Sequence, residues 1–281
     1  NTRYSILVSV MENNNFDVRT LDLFGIDEIP DDCAVIIMAE PVQDITVGEK
    51  NLILDYLRSG GSLMVLSGFG NAQFPVLNEL LAEFNLEISN DRIREGNVEY
   101  RYSNDAYMIR AIAPAGLVTP TAVDGWTLVD NVRKMNVLQN VKSWVTTEPV
   151  LTTSSGGIVE TLGEVEQSSV PATQNIAVLS ENNGWYDGRN VTESAKVMLI
   201  GSAGMFDDAI LGQFGNNIYN LGVFYYGVQW LSNIDVGGSL RIEAKQPVSY
   251  FLTQGTTGAY NFSAVLAFII IPLGLLAAAL F

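Results

Sequence analysis

The stretch at residues 33–70 constrains the fold most, because it has the pattern of a strand, a helix and a second strand. Residues 33–39 are apolar at every position, which is typical of a strand covered on both faces. Residues 62–67 form a second short and mostly apolar run. Two buried strands on either side of one helix predict a right-handed crossover between parallel strands.

The helix between these strands is marked by signals at both of its ends. Thr46 and Glu49 have the spacing of a capping box, in which each side chain satisfies a free backbone N–H at a helix start. Asp44 adds negative charge at the same end. The glycine pair that begins at Gly60 supplies the left-handed residue on which such helices end. The sequence therefore predicts a helix that begins at Val47 and ends before the glycine pair.

The rest of the chain divides into regions of different character. Residues 96–175 contain β-prone segments separated by Gly, Pro, Asn and Asp, and they predict a β-rich insertion or subdomain. Residues 1–95 and 176–250 are predicted to form the two parts of one α/β domain, followed by a juxtamembrane linker at 251–261. We therefore predict an α/β fold with a parallel core sheet and helices on both faces.

The last segment, residues 262–281, carries no charge over twenty residues. Twenty apolar residues at about 1.5 Å rise each match the roughly 30 Å hydrocarbon core of a bilayer, so we predict a C-terminal transmembrane helix. The alternative is a buried helix of a soluble core. No Lys or Arg follows Lys245, although cytoplasmic flanks usually carry them, so we expect the acidic domain to be extracytoplasmic. We also expect both ends to be truncated, which leaves open whether a second membrane helix lies upstream of Asn1.

Composition narrows the possible functions. Thirty-one acidic residues against fifteen Lys and Arg give a net charge of −16, which disfavours nucleic acid as a partner. Histidine is absent, which excludes Ser-His and Cys-His nucleophile pairs and removes the commonest zinc ligand. The single cysteine, Cys33, cannot form an intrachain disulfide and is predicted to be a buried, inert thiol. We predict no metal and no cofactor.

The acidic candidates for a ligand site follow predicted strands. Glu40 ends the first strand, and Asp207 and Asp208 come shortly after the strand predicted at residues 197–202. Open sheets bind ligands at the carboxyl ends of their strands, so these carboxylates are candidates to converge on a cation or a polyol. The alternative is a solvated acidic pair, which is expected on so acidic a chain.

Three further residues are candidates for a ligand or interface role. Ser67 follows the second strand, where a hydrolase carries its nucleophile, but it lacks the preceding glycine and a histidine base. A strand-end hydroxyl is the alternative that these departures favour. Trp185 and Tyr186 resemble a sugar-stacking or protein-interface loop, and a plain turn is the alternative. No residue is predicted to be catalytic, cofactor-binding or metal-binding.

Several stretches together resemble the gliding-motility-type auxiliary subunits of ABC transporters. They are Ala39-Glu40-Pro41, Asp44-Ile45-Thr46 with Glu49, and residues 56–63, 148–154, 197–202 and 217–231. The resemblance spans most of the chain. It implies a domain like the class I glutamine amidotransferases, in a flavodoxin-like arrangement, anchored by terminal membrane helices beside an ABC-2-type permease and an ATPase.

We therefore predict a non-catalytic, membrane-anchored extracytoplasmic auxiliary subunit of an ABC-2-type transport complex. Its expected partners are the permease, the ATPase and membrane lipid through residues 262–281. One alternative is an envelope glycan-binding or oligosaccharyltransferase-type accessory subunit with the same fold. A second alternative is a hydrolase or amidotransferase that depends on Ser67 or on the pair Asp207 and Asp208.

Overall fold

The computed structural model describes residues 3–114, 126–139, 142–161, 169–184, 194–215, 217–233 and 265–272. The chain forms two units, one at residues 1–236 and one at residues 237–281. All of the helices and strands labelled here belong to the first unit. In chain order they are α1 (Ser5–Asn13), β1 (Ile36–Ala39), α2 (Val47–Arg58), β2 (Ser62–Leu66), α3 (Pro75–Leu81), β3 (Leu86–Glu95), β4 (Arg101–Tyr102), β5 (Asp105–Ala111), β6 (Thr127–Asp130), β7 (Arg133–Val137), β8 (Val145–Thr152), β9 (Gly157–Glu160), β10 (Asn175–Asn182), β11 (Ala195–Ile200), α4 (Asp208–Phe214) and α5 (Asn220–Leu231).

The central sheet of the first unit is mixed, with the strand order β1-β2-β11-β10-β8. Strands β1, β2 and β11 are parallel, whereas β10 is antiparallel to both of its neighbours. The prediction of a parallel core sheet of the amidotransferase or flavodoxin type is therefore wrong. The apolar run in β10 correctly indicates a strand covered on both faces, but such a run does not encode the direction of the strand.

The order of strand, helix and strand predicted at residues 33–70 is confirmed, with β1 parallel to β2. The prediction that the first strand is covered on both faces is wrong, because β1 spans only Ile36–Ala39 and two of its four residues are exposed. The capping box is present, because the Glu49 N–H donates to Thr46 Oγ1 over 3.2 Å and the Thr46 N–H donates to Glu49 Oε2 over 2.7 Å. Gly60 has a φ of +92° just after the helix. Asp44 has a different role from the predicted one, because it accepts bonds from the first turn of α3. The sequence around α2 thus specifies both helix ends locally.

The core lies on both faces of the central sheet. Helices α1, α4 and α5 pack on one face, and α2 and α3 pack on the other. Strand β2 contributes to both faces, since Met64 and Leu66 belong to the first cluster whereas Leu63 and Val65 belong to the second. This alternation is the period of two expected of a strand buried on both sides.

Two smaller antiparallel sheets accompany the central one. Their strand orders are β7-β3-β9 and β4-β5-β6. Strands β4 to β9 lie within residues 96–175, where the sequence predicts a β-rich insertion. Strand β8 comes from the same region and pairs with β10 at the edge of the central sheet. The boundaries of the insertion stay a prediction.

The predicted C-terminal transmembrane helix requires a correction. In the described ranges, which include residues 265–272, no helix has both the length and the apolar character needed to cross a membrane. The second unit contains a short helical segment at Leu266–Ile270. Residues 262–264 and 273–281 of the predicted span lie outside the described residues, as does the predicted linker at 251–261.

Candidate functional site

Four of the candidate residues lie at the carboxyl ends of β1, β2 and β11, which meet at one edge of the central sheet. Glu40 follows β1 and Ser67 follows β2. Asp207 and Asp208 follow β11 after a tight turn at Gly204–Phe206. Parallel strands bring residues that are distant in sequence to the same edge, so this is where a ligand site was expected.

Arg3 joins two of these carboxylates. Its Nη1 donates to Glu40 Oε2 and its Nε donates to Asp207 Oδ2. Two of the three carboxylates that are predicted to converge on a cation or a polyol, Glu40 and Asp207, therefore converge on a guanidinium of the same chain. The hydrogen bond from Arg3 holds the pKa of Asp207 below its ordinary value, and the same bond raises the pKa of Arg3. The Tyr4 hydroxyl donates to Glu40 Oε2 over 3.2 Å, and burial raises the pKa of Tyr4 to about 12.

Asp208 binds the start of α1, whereas its neighbour Asp207 binds Arg3. Its carboxylate accepts from the backbone N–H groups of Ser5 and Ile6, each at 2.9 Å, and from the Ser5 hydroxyl at 2.6 Å. Helix α1 has no capping side chain of its own at Tyr4, so Asp208 satisfies free N–H groups at its start. These bonds, with the Ser5 hydroxyl first, lower the pKa of Asp208. Asp208 thus fastens α1 to the start of α4.

Glu40 has an unusual backbone conformation. Its φ of +50° lies in the left-handed region that residues other than glycine rarely adopt. Its N–H still donates to the Leu66 carbonyl over 2.8 Å, so the turn remains attached to β2. A Cβ on Gly68 would stand 3.7 Å from Glu40 Oε1, which places the carboxylate over this glycine. The conformation turns Glu40 toward the N-terminal segment at the point where β1 ends.

Ser67 is held in the interior of the sheet edge. Its side chain is 1% exposed, its N–H donates to Ile200 O over 2.7 Å, and its carbonyl accepts from Ala203 N over 2.9 Å. Its hydroxyl has no hydrogen-bond partner among the described residues. A hydroxyl that solvent does not reach, in a chain without histidine, is not placed to attack a substrate.

Sequence reasoning missed Arg3, Tyr4 and Ser5, which hold this edge together. Arg3 and Asp207 are 204 positions apart in the sequence, and no local pattern predicts such a pair. The only available signal was that Arg3 is the single basic residue before Arg19 in a strongly acidic chain. Trp185 and Tyr186 lie outside the described residues.

A fourth missed residue, Arg133, is buried beneath the loop that follows β2. It is 1% exposed, and its Nη2 donates to the Ala72 carbonyl over 2.8 Å and to the Gly70 carbonyl. Its guanidinium stands 5.0 Å from the centroid of the Phe74 ring. Burial lowers the pKa of Arg133. The side chain therefore fills the space under the loop and holds two of the loop's carbonyl groups.

A cavity of about 670 Å³ lies at the amino ends of β1 and β2, at the other end of these strands from Glu40 and Ser67. Its acidic lining residues are Asp27, Glu28, Asp31 and Asp55, and Arg58 also lines it. Helices α2 and α5 end at this cavity, and the carbonyl ends of helices carry partial negative charge. Cys33 is half-buried and lines this cavity ahead of β1, so the prediction that its thiol is buried is wrong, although partial burial raises its pKa. The cavity is therefore negative in character.

In the parts of the chain that the structure describes, no group of three or more His, Cys, Asp or Glu residues could hold a metal ion.

Comparison with known proteins identifies a similar fold but no family. No protein-family model matches the sequence, and no curated protein matches it. The solved structure of the mmIFT52 N-terminal domain is similar at a TM-score of 0.58 and 19% identity, covering 84% of this chain and 92% of that chain. This likeness shows the fold alone. The cytoplasmic protein STM3548 from Salmonella typhimurium matches at a TM-score of 0.43 and 12% identity, covering 81% of this chain and 86% of that chain, which is too weak to support an argument. The resemblance to the ABC-transporter subunits stays a prediction.

Replacing Arg3 with Met is expected to lower the free energy of unfolding by about 1 kcal/mol at pH 7, since one half-exposed guanidinium serves two carboxylates. The pKa of Asp207 is lower in the folded chain than in the unfolded chain. The stability that the Arg3–Asp207 ion pair contributes is therefore present above the unfolded pKa of about 4 and is lost as the pH falls through the folded pKa. The difference in free energy of unfolding between the unmodified chain and Arg3→Met should become smaller on acidification, as measured by urea unfolding between pH 7 and pH 3.

Arg19→Met is the matched control, because Arg19 pairs with Asp17 and Asp32 and all three side chains are well exposed. We expect no measurable change in stability from this control. An Arg3→Met deficit that stayed constant across the pH range would contradict the assigned pairing with Asp207.

Proposed function

We propose that this chain is a non-catalytic auxiliary subunit of an ABC-2-type transport complex and acts by protein-protein contacts with the permease and the ATPase. The observation that supports the proposal is that the polar side chains at the carboxyl ends of the central strands bind other parts of the same chain. Glu40 and Asp207 bind Arg3, and Asp208 caps α1. The polar groups at the usual ligand position thus hold the N-terminal segment in place, which favours a scaffold over an enzyme.

The proposal includes attachment to the membrane. Residues 262–281 carry no charge, and we propose that they associate with lipid and keep the subunit beside its permease. We propose that the first unit is extracytoplasmic, because Lys and Arg are absent after Lys245. The strong negative charge of the chain supports contact with proteins rather than with anionic surfaces.

Purification of the full chain from native membranes in mild detergent tests this proposal. An N-terminally tagged chain should recover a permease and an ATPase in constant proportion, identified by mass spectrometry. A tagged membrane protein of unrelated function, expressed at the same level, is the control for non-specific recovery. Recovery of the chain without either partner would refute the proposal.

The non-catalytic part of the proposal has a separate test. Broad serine and carboxylate activity probes should leave the folded chain unlabelled, because Ser67 is buried and Asp207 is ion-paired. The Ser67→Ala variant provides the matched background. Labelling that disappears in this variant would overturn the assignment and favour a hydrolase.

A further inference from the structure

Among the strands that the structure describes, β1 pairs with β2 alone, which leaves the other side of its backbone without a described partner. The Glu40 N–H donates to the Leu66 carbonyl on β2, and backbone groups alternate between the two sides of a strand. Ile37 and Ala39 therefore direct their N–H and C=O groups away from β2, toward the outer edge of the sheet. No hydrogen bond from any described residue reaches these groups. Both residues are also exposed, with Ile37 at 40%.

Strand β1 is short, at four residues, but it lacks the other features that normally protect an edge strand. Strand β1 contains two Ile, one Met and one Ala, with no charge and no proline. Val42, just beyond the strand, is 83% exposed. The opposite edge of the same sheet, β8, carries Glu148 and Pro149 and has an irregular register with β10. Charges, prolines and bulges within the strand also prevent strand addition, and none of them lies between Ile36 and Ala39, although Glu40 and Pro41 follow directly.

The surroundings of β1 are acidic. The segment between α1 and β1 carries Asp17, Asp22, Asp27, Glu28, Asp31 and Asp32, with Arg19 as its only basic residue. The negative cavity stands at the beginning of the strand. An added strand with basic residues at this end would gain complementary charge, whereas a second copy of this chain would bring the same negative charge.

We propose that the outer edge of β1 binds an extended segment of a partner protein as an additional strand. The segment is apolar at alternate positions and carries Lys or Arg at the end that lies beside the acidic cavity. Main-chain hydrogen bonds to Ile37 and Ala39 hold the segment, and the charges set its orientation. This inference rests on the proposed function, because it names the surface by which the subunit contacts another protein.

Defined peptides test the inference on the full chain in detergent. The probe is a decapeptide of alternating Val and Thr with two Lys at one end. We expect it to bind and to slow amide hydrogen exchange at Ile37 and Ala39. A peptide with Glu in place of Lys, and one with N-methylated Val, should each bind at least tenfold more weakly. Failure of the Lys peptide to bind, or equal binding of the N-methylated peptide, would overturn the inference.

Variants at Ile37 separate the contribution of its backbone N–H to peptide binding from the contribution of its side chain. Ile37→Pro removes an outward N–H and leaves the bonds to β2 in place, whereas the control Ile37→Val keeps the N–H. We expect the Lys peptide to bind the Ile37→Pro variant at least tenfold more weakly than the unmodified chain, and to bind the Ile37→Val variant with unchanged affinity. Ile37→Lys, which repels the basic probe, serves the same purpose if the Pro variant does not fold. Unchanged binding in the folded variant would contradict the inference.

The failure of this inference can be told apart from failure of the proposed function. If Ile37→Pro recovers the permease and ATPase as well as the unmodified chain does, the inference is wrong while the proposed function stands. If the unmodified chain recovers neither partner, the proposed function is wrong, and the peptide measurements still decide whether β1 accepts a strand. Strong protection of the Ile37 amide in the chain without peptide would show that the edge is already covered, which also overturns the inference.

Discussion

Replacing Asn220 with Leu is expected to lower the free energy of unfolding by about 4 kcal/mol, because three buried backbone groups lose their partners at about 1 to 3 kcal/mol each. Asn220 is fully buried at the start of α5. Its Oδ1 accepts from Leu128 N over 3.0 Å, and its Nδ2 donates to the carbonyls of Leu128 and Met205 over 2.8 and 2.7 Å. Leucine fills a similar volume but offers no hydrogen bond. Urea unfolding at pH 7 measures the loss.

Asn51→Leu is the matched control, since Asn51 is exposed on α2. The control should change stability by less than about 0.5 kcal/mol. Met205 lies in the turn just before Asp207 and Asp208, and Asp208 binds the start of α1. Loss of the Asn220 bond to Met205 should therefore also speed hydrogen exchange in α1. Equal effects of the two substitutions would mean that the bonds of Asn220 do not stabilise the fold.

Replacing Glu95 with Leu is expected to cost about 3 to 5 kcal/mol of unfolding free energy, again because buried donors lose their acceptor. Glu95 ends β3 and has no exposed surface. Its carboxylate accepts from the N–H groups of Asn97 and Ser154 over 2.9 and 3.1 Å and from the Ser154 hydroxyl over 2.7 Å. This single side chain therefore holds the loop after β3 against the loop after β8.

Two further variants make the Glu95 measurement decisive. Glu99→Leu is the same substitution at an exposed position and should be nearly neutral in urea unfolding. Glu95→Gln keeps one carbonyl oxygen as an acceptor, so its destabilisation should lie between those of Glu99→Leu and Glu95→Leu. A Gln variant as unstable as the Leu variant would indicate that the negative charge, rather than the number of accepted bonds, is what the site requires.

Local features of the fold could be predicted because the residues that determine them are close in sequence. Thr46 and Glu49 specify the start of α2 by bonding to each other, and Gly60 ends the helix through its own backbone preference. The apolar runs of β2 and β11 likewise indicate buried strands without any knowledge of their neighbours. In each case the physical cause acts over a few residues.

The candidate site could be predicted only in part. The sequence placed Glu40 and Asp207 at the carboxyl ends of strands, and the structure brings them together. What joins them is Arg3, whose role depends on how α1 packs and therefore on the whole sheet. The same limit applies to Arg133 and Glu95, because a sequence pattern does not reveal which charged residues become buried.

The sequence by itself determined the acidic character of the chain, the absence of histidine chemistry, and the strand, helix and strand at the start of the central sheet, since these follow from composition and short-range pattern. Only the tertiary structure decided that β10 runs antiparallel, that Arg3 binds the two carboxylates at the carboxyl ends of the strands, and that no described strand pairs with the outer side of β1. Strand direction and side-chain pairing depend on contacts between segments far apart in the chain. The energies that select those contacts exist only once the segments are packed together.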